Sequence, residues 1–149
     1  MNENKKIDLK VILKYSIVGI VLSLLLGTIF YYLFSFTTYK QIEYASYMSL
    51  GIFPYSFCIG LIITEIILTP QIKNMYGSII VGFIIGLFTS LLQNTVILTV
   101  YGGQQLMYFL EFVGNQTLLL IILGVIFAYI GNAYLKGKIN IPIINKYLG

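Results

Sequence analysis

Residues 15–36 read YSIVGIVLSLLLGTIFYYLFSF. No charged side chain interrupts this run, and it exceeds the roughly 20 residues that an α-helix needs to cross a ~30 Å hydrocarbon core. Three more apolar runs follow, over residues 47–69, 77–100 and 113–134, with Glu65 as the sole charged residue in them. The intervals between them carry the stop signals. Residues 37–46 hold Lys40 and Glu43, residues 70–76 hold Pro70, Lys73 and Asn74, and residues 101–112 begin with Gly102-Gly103-Gln104-Gln105. Proline disfavours helix at the residue before it, so Pro70 is expected to end the second run.

The rest of the composition agrees with these runs. Of 149 residues, 58% are hydrophobic and 9% charged, against about 25% charged in soluble domains. A small soluble fold exposes too much of its surface to hide so much apolar material. Alternation of apolar and polar residues is absent from the runs, which excludes a transmembrane β-barrel. The expected fold is an all-α integral membrane protein: one polytopic domain over residues 1–149, four transmembrane helices in a compact helical bundle, and cytoplasmic tails at 1–14 and 135–149.

Lysine counting gives the orientation, because cytoplasmic loops carry the excess of positive charge. With the N-terminus inside, Lys5, Lys6, Lys10, Lys14, Lys73, Lys136, Lys138 and Lys146 are cytoplasmic and only Lys40 is outside. Eight inner lysines less Glu3 and Asp8 give +6, Lys40 less Glu43 and Glu111 gives −1, and Glu65 supplies the last −1 of the net +4. Both termini are therefore expected in the cytoplasm of a multi-pass cell-membrane protein. The first apolar run is longer than a signal-peptide core and lacks a small-x-small cleavage site, so it reads as an uncleaved helix. Heavy use of Ile, Lys, Asn and Tyr without Trp points to an A+T-rich, prokaryotic genome.

The inventory also removes chemistry. The chain has no His, no Arg and a single cysteine, Cys58. The side chain best suited to proton transfer near neutral pH is absent, bidentate phosphate clamps are absent, and neither an intrachain disulfide nor a zinc site is available. No nucleophile–base arrangement is present. A non-enzymatic protein without cofactor or metal is expected. The basic balance is directed at lipid and not at nucleic acid, since the lysines flank apolar runs. Lys6, Lys10 and Lys14 share one helical face and are expected to meet the anionic inner leaflet.

Small residues recur four apart in every run: Gly19, Ser23 and Gly27 in the first, Ser56, Gly60 and Thr64 in the second, Ser78, Gly82, Gly86 and Ser90 in the third, and Gly124 and Ala128 in the fourth. Within lipid, such stripes let helix backbones approach closely. They are expected to close the bundle, and the third, being longest, also offers a face for self-association or for another membrane protein. Pro54 in the second run removes a backbone donor and is the candidate kink.

Two polar sets interrupt the apolar runs. Glu65 stands four residues before the end of its run, roughly 6–8 Å inside the boundary at 1.5 Å per residue. An ionised carboxylate there is costly, which makes Glu65 the leading candidate for a functional group. Asn132 lies at similar depth as its expected hydrogen-bond partner, with Lys14 and Lys73 near enough to reach inward. Towards the outer face, Gln93 and Asn94 face the Asn115-Gln116-Thr117 opening of the fourth run, with Gln104, Gln105 and Glu111 above. Between the two sets the helices read as almost wholly apolar, so one bundle is not expected to hold a continuous polar path.

Three roles fit. The first is a non-enzymatic membrane subunit or regulator assembling through small-residue faces. An alternative is a small oligomeric transporter or channel with Glu65 as coupling carboxylate. A holin-like pore former is the remaining alternative.

Overall fold

The computed structural model describes residues 8–38, 45–101, 106–139 and 142. Four helices account for nearly all of them: α1 (Leu9–Thr38), α2 (Ala45–Leu68), α3 (Met75–Tyr101) and α4 (Leu106–Tyr134). One turn of 3-10 helix, Thr69–Gln71, joins α2 to the α3 side, and the described residues contain no strand. Three helices contain stretches long and apolar enough to cross a membrane, Leu9–Ser35, Met75–Val96 and Gly114–Tyr134.

The helices outrun the apolar runs at several ends. α1 begins at Leu9, because Asp8 caps it: the Lys10 amide donates to Asp8 Oδ1 at 3.0 Å and the Ile12 amide to Asp8 O at 3.1 Å. This is the N-cap bond expected of an aspartate before a helix. Asn74 caps α3 in the same way, accepting from the Tyr76 amide at 3.0 Å through its side chain and from the Ser78 amide at 3.0 Å through its carbonyl. α4 begins at Leu106, earlier than residue 113, because the sequence Leu106-Met107-Tyr108-Phe109-Leu110 is itself apolar and helix-compatible. Beyond α4, Gly137 takes a left-handed φ of 79°, a conformation that glycine adopts without a Cβ clash. α2 stays helical on both sides of Pro54, which is buried inside it.

α1 and α2 form one antiparallel pair and α3 and α4 a second. α1 also packs on α3, and α2 on α4, so the order around the bundle is α1, α2, α4, α3. α2 and α3 also touch across the middle. Tyr15, Leu61, Leu68, Val81, Ile85 and Leu120 fill the apolar core.

Polarity is arranged inside out. Along α1, Leu13, Ile17, Val21, Leu25, Ile29 and Leu33 form an exposed stripe in steps of four. Meanwhile Ser16, Ser23, Thr64, Glu65, Thr89, Ser90, Gln93, Asn94 and Asn132 are buried. Soluble monomers rarely leave so large an apolar stripe facing water. In lipid the same arrangement is favourable, since polar groups gain by turning towards neighbouring helices.

Candidate functional site

The small residues set how closely the helices approach and so determine the depth of every polar group. A Cβ on Gly60 would lie 2.5 Å from Gly27 N and 2.8 Å from Ser23 O, so α2 rests directly on the α1 backbone there. On the other side of the molecule, a Cβ on Gly86 would lie 2.5 Å from Leu120 O and one on Gly82 2.5 Å from Ala128 Cβ. Gly124 faces Gly82 in the same contact. Gly27 is covered by the Phe57 ring, and Gly19 by Ile85 and Leu68. Ser78 donates towards Thr69 O and Ala128 O, both at 3.4 Å, and Ser56 is buried. The stripe on α3, expected to help close the bundle and also to offer a face to a partner, packs on α4 at Gly82 and Gly86. Two glycine-bearing faces in register bury each other before any second molecule can use them.

Glu65 lies between the contacts that fix α2 to α1: five residues after Gly60, which meets Ser23 and Gly27, and three before Leu68, which covers Gly19. It is therefore level with residues 19–23 of α1. At 1.5 Å per residue this is about 10 Å along the α1 axis from Lys14.

Glu65 is 0% exposed. Neither of its carboxylate oxygens has a hydrogen-bond partner among the described residues. The expected partner does something else. Asn132 Nδ2 donates to Thr69 O at 3.0 Å and to Ile72 O at 2.6 Å, so its side chain serves backbone carbonyls just beyond α2, Thr69 O also accepting from the Ile72 amide at 3.1 Å. Thr69 Oγ1 donates to the backbone carbonyl of Glu65 at 2.6 Å and leaves the carboxylate alone. Lys14 and Lys73 are exposed. The lysine that does reach the α2–α3 connection is Lys136, whose Nζ donates to Lys73 O at 2.5 Å, beside the Gln71 Nε2 to Ile139 O bond of 2.8 Å.

The outer polar set divides in two. Asn94 faces α4: its Nδ2 donates to Thr117 Oγ1 at 3.1 Å and to Ser90 Oγ at 3.2 Å, and Ser90 Oγ donates to Thr117 Oγ1 at 2.7 Å. Gln93, one residue earlier, is 1% exposed, and neither Nε2 nor Oε1 has a partner among the described residues. Asn115 is exposed, whereas Gln116 is half-buried with Oε1 unpartnered. Gln104 and Gln105 lie outside the described residues, as do Lys6, Lys40 and Glu43, and the same holds for the side chain of Glu111.

Two further buried groups escape a reading of apolar runs. Thr89 Oγ1 donates to Ser23 Oγ at 3.2 Å, with both residues 0% exposed. Ser16, 2% exposed, keeps its Oγ buried and unpartnered. The signal for Ser16 is its spacing of seven from Ser23, two turns along one helical face. Nothing in the sequence distinguishes Thr89 from the polar residues that face α4.

No family model, no curated protein and no solved structure matches the chain, which leaves the geometry of these buried groups as the basis for assigning a role.

Proposed function

We propose that this protein is a small membrane transport protein in which Glu65 takes up and releases a cation inside the bundle. The observation that carries the reading is the state of that side chain: fully buried, with both oxygens unpartnered among the described residues. Leaving a buried charge unpaired costs several kcal/mol. A carboxylate kept for anchoring would be expected to pair with one of the nearby lysines or to extend to the surface. A carboxylate that works in transport must keep its oxygens free to receive a proton or metal cation.

The accessory-subunit reading has the protein assemble with itself or another membrane protein through small-residue faces. Those faces are closed within the chain, Gly82 and Gly86 against α4 and Gly60 against α1, so transport is placed first. A non-enzymatic role accompanies it.

Four spans with both termini in the cytoplasm belong to the same proposal. α2 has 24 helical residues, about 36 Å at 1.5 Å per residue, enough for a ~30 Å core. Lys10, Lys14, Lys73, Lys136 and Lys138 are all exposed near one end of the helices, where they suit an anionic inner leaflet.

The test is ion flux into liposomes containing the purified full-length protein, compared with Glu65→Gln and Glu65→Asp. Loss of flux in the first with partial retention in the second, both variants folded, is the expected result. Equal flux in Glu65→Gln and wild type would remove Glu65 from the mechanism.

A further inference from the structure

Resting on the transport reading, we infer that the transported species is the proton. The buried groups Ser16, Glu65, the Ser23–Thr89 pair and Gln93 line one hydrated path through the interior of the bundle. Four observations align. Ser16 and Ser23 occupy one face of α1, two turns apart, and both are buried. Glu65 on α2 is level with the segment between them. Thr89 on α3 bonds Ser23 at 3.2 Å. Gln93 follows Thr89 by one helical turn, and α3 runs parallel to α1, which puts it level with Gly27.

Five of the seven buried polar side-chain atoms without partners among the described residues fall on this line. Ser16 Oγ, both Glu65 oxygens and both polar atoms of Gln93 are buried without partners among the described residues. The other two are Gln116 Oε1 and the Oδ1 of Asn94, which faces α4 and has only its amide donors satisfied. Counted along the axis at 1.5 Å per residue, Ser16 to the level of Glu65 is about 7 Å, Glu65 to the Ser23–Thr89 pair about 3 Å, and that pair to Gln93 about 6 Å. With hydrogen bonds of ~2.8 Å a single water reaches at most ~5.6 Å, so each of the two longer intervals takes about two waters in series. The Gly60 contact with Gly27 and Ser23 leaves no room for a hydrated metal ion between those two backbones.

Each group has a defined part. The Gln93 carboxamide is a positioning group: Oε1 accepts from water, Nε2 donates to water, and the side chain stays neutral. A proton arrives beside it as hydronium. Each water along the path then gains one O–H bond and gives up another. The Glu65 carboxylate ends the inward passage as a carboxyl. Release to water beside Ser16 restores the carboxylate, so one proton crosses and nothing is oxidised or reduced.

The test uses the full-length protein in liposomes with an entrapped pH dye and an imposed potassium diffusion potential. Wild type is expected to acidify the lumen, more slowly in D2O, without moving sodium or potassium itself. Removing one hydrogen bond from the path in Gln93→Leu or Thr89→Val should slow the flux by about tenfold. Gln93→Glu should restore it, which a packing role would not predict. Wild-type flux in both Gln93→Leu and Thr89→Val beside a silent Glu65→Gln overturns the path while sparing Glu65. Sodium or potassium carried in place of protons overturns the assigned species. Full flux in Glu65→Gln overturns the transport reading and this inference with it. Melting of each variant in detergent separates lost flux from lost fold. Should Gln93→Leu not fold, the D2O effect and ion selectivity of wild type still decide.

Discussion

Adjacent residues in this chain have opposite fates. Gln93 and Asn94 differ by one position, hence by about 100° around a 3.6-residue helix. That rotation sends Asn94 to Thr117 on α4 and leaves Gln93 without a partner among the described residues. Their type and depth were legible in the sequence, but their neighbours were not, because neighbours depend on which helix flanks each face. Asn132 makes the same point. Its depth suggested Glu65, but its amide donates to the carbonyls of Thr69 and Ile72 just beyond α2. Replacing Asn132 with Leu leaves Thr69 O and Ile72 O without that donor. Interhelical hydrogen bonds in membranes average about 0.6 kcal/mol and reach about 1.7, so unfolding in detergent micelles is expected to show a loss of roughly 1 kcal/mol, with Glu65-dependent flux intact.

At the scale of the helix, glycine spacing carries the packing. The stripes were visible as i, i+4 repeats, and each is buried where two helices meet. What the repeat does not reveal is whether the opposing face belongs to the same chain. Here it does, since Gly86 sits against Leu120 O of α4 at a distance that admits no side chain. Gly86→Leu must push the two backbones apart. Overpacking of this kind costs typically 1–3 kcal/mol, and more is expected where the obstacle is backbone. The measurement is thermal melting by circular dichroism: a lowered midpoint is expected, without change in oligomeric state. A variant of unchanged stability that loses a partner would show instead that the glycine faces outward. Helix ends were the least legible feature, because caps at Asp8 and Asn74 extend α1 and α3 past their apolar stretches, and Leu106–Leu110 resembles a loop only through its neighbours.

For the whole molecule, the membrane character was legible from composition and the apolar runs, whereas the level of Glu65 against α1 was not. That level depends on the stagger of α2 against α1, which Gly60, Ser23 and Gly27 set. The lysines at one end of the helices predict topology. Single cysteines placed at Lys10, Lys73 and Lys138 in a Cys58→Ser background should be labelled by a membrane-impermeant thiol reagent only after the cells are opened. Labelling of any of them in intact cells would break the arrangement with both termini inside.

The central claim is that Glu65 is a carboxyl group, enclosed by the bundle in a bilayer, that exchanges protons with water. Infrared difference spectroscopy of the protein in lipid, between acidic and alkaline buffer, tests it most directly. A carboxyl C=O band that appears on acidification, lies at the frequency of an apolar environment and vanishes in Glu65→Gln is the predicted result. A spectrum unchanged by the Glu65→Gln substitution would contradict the account.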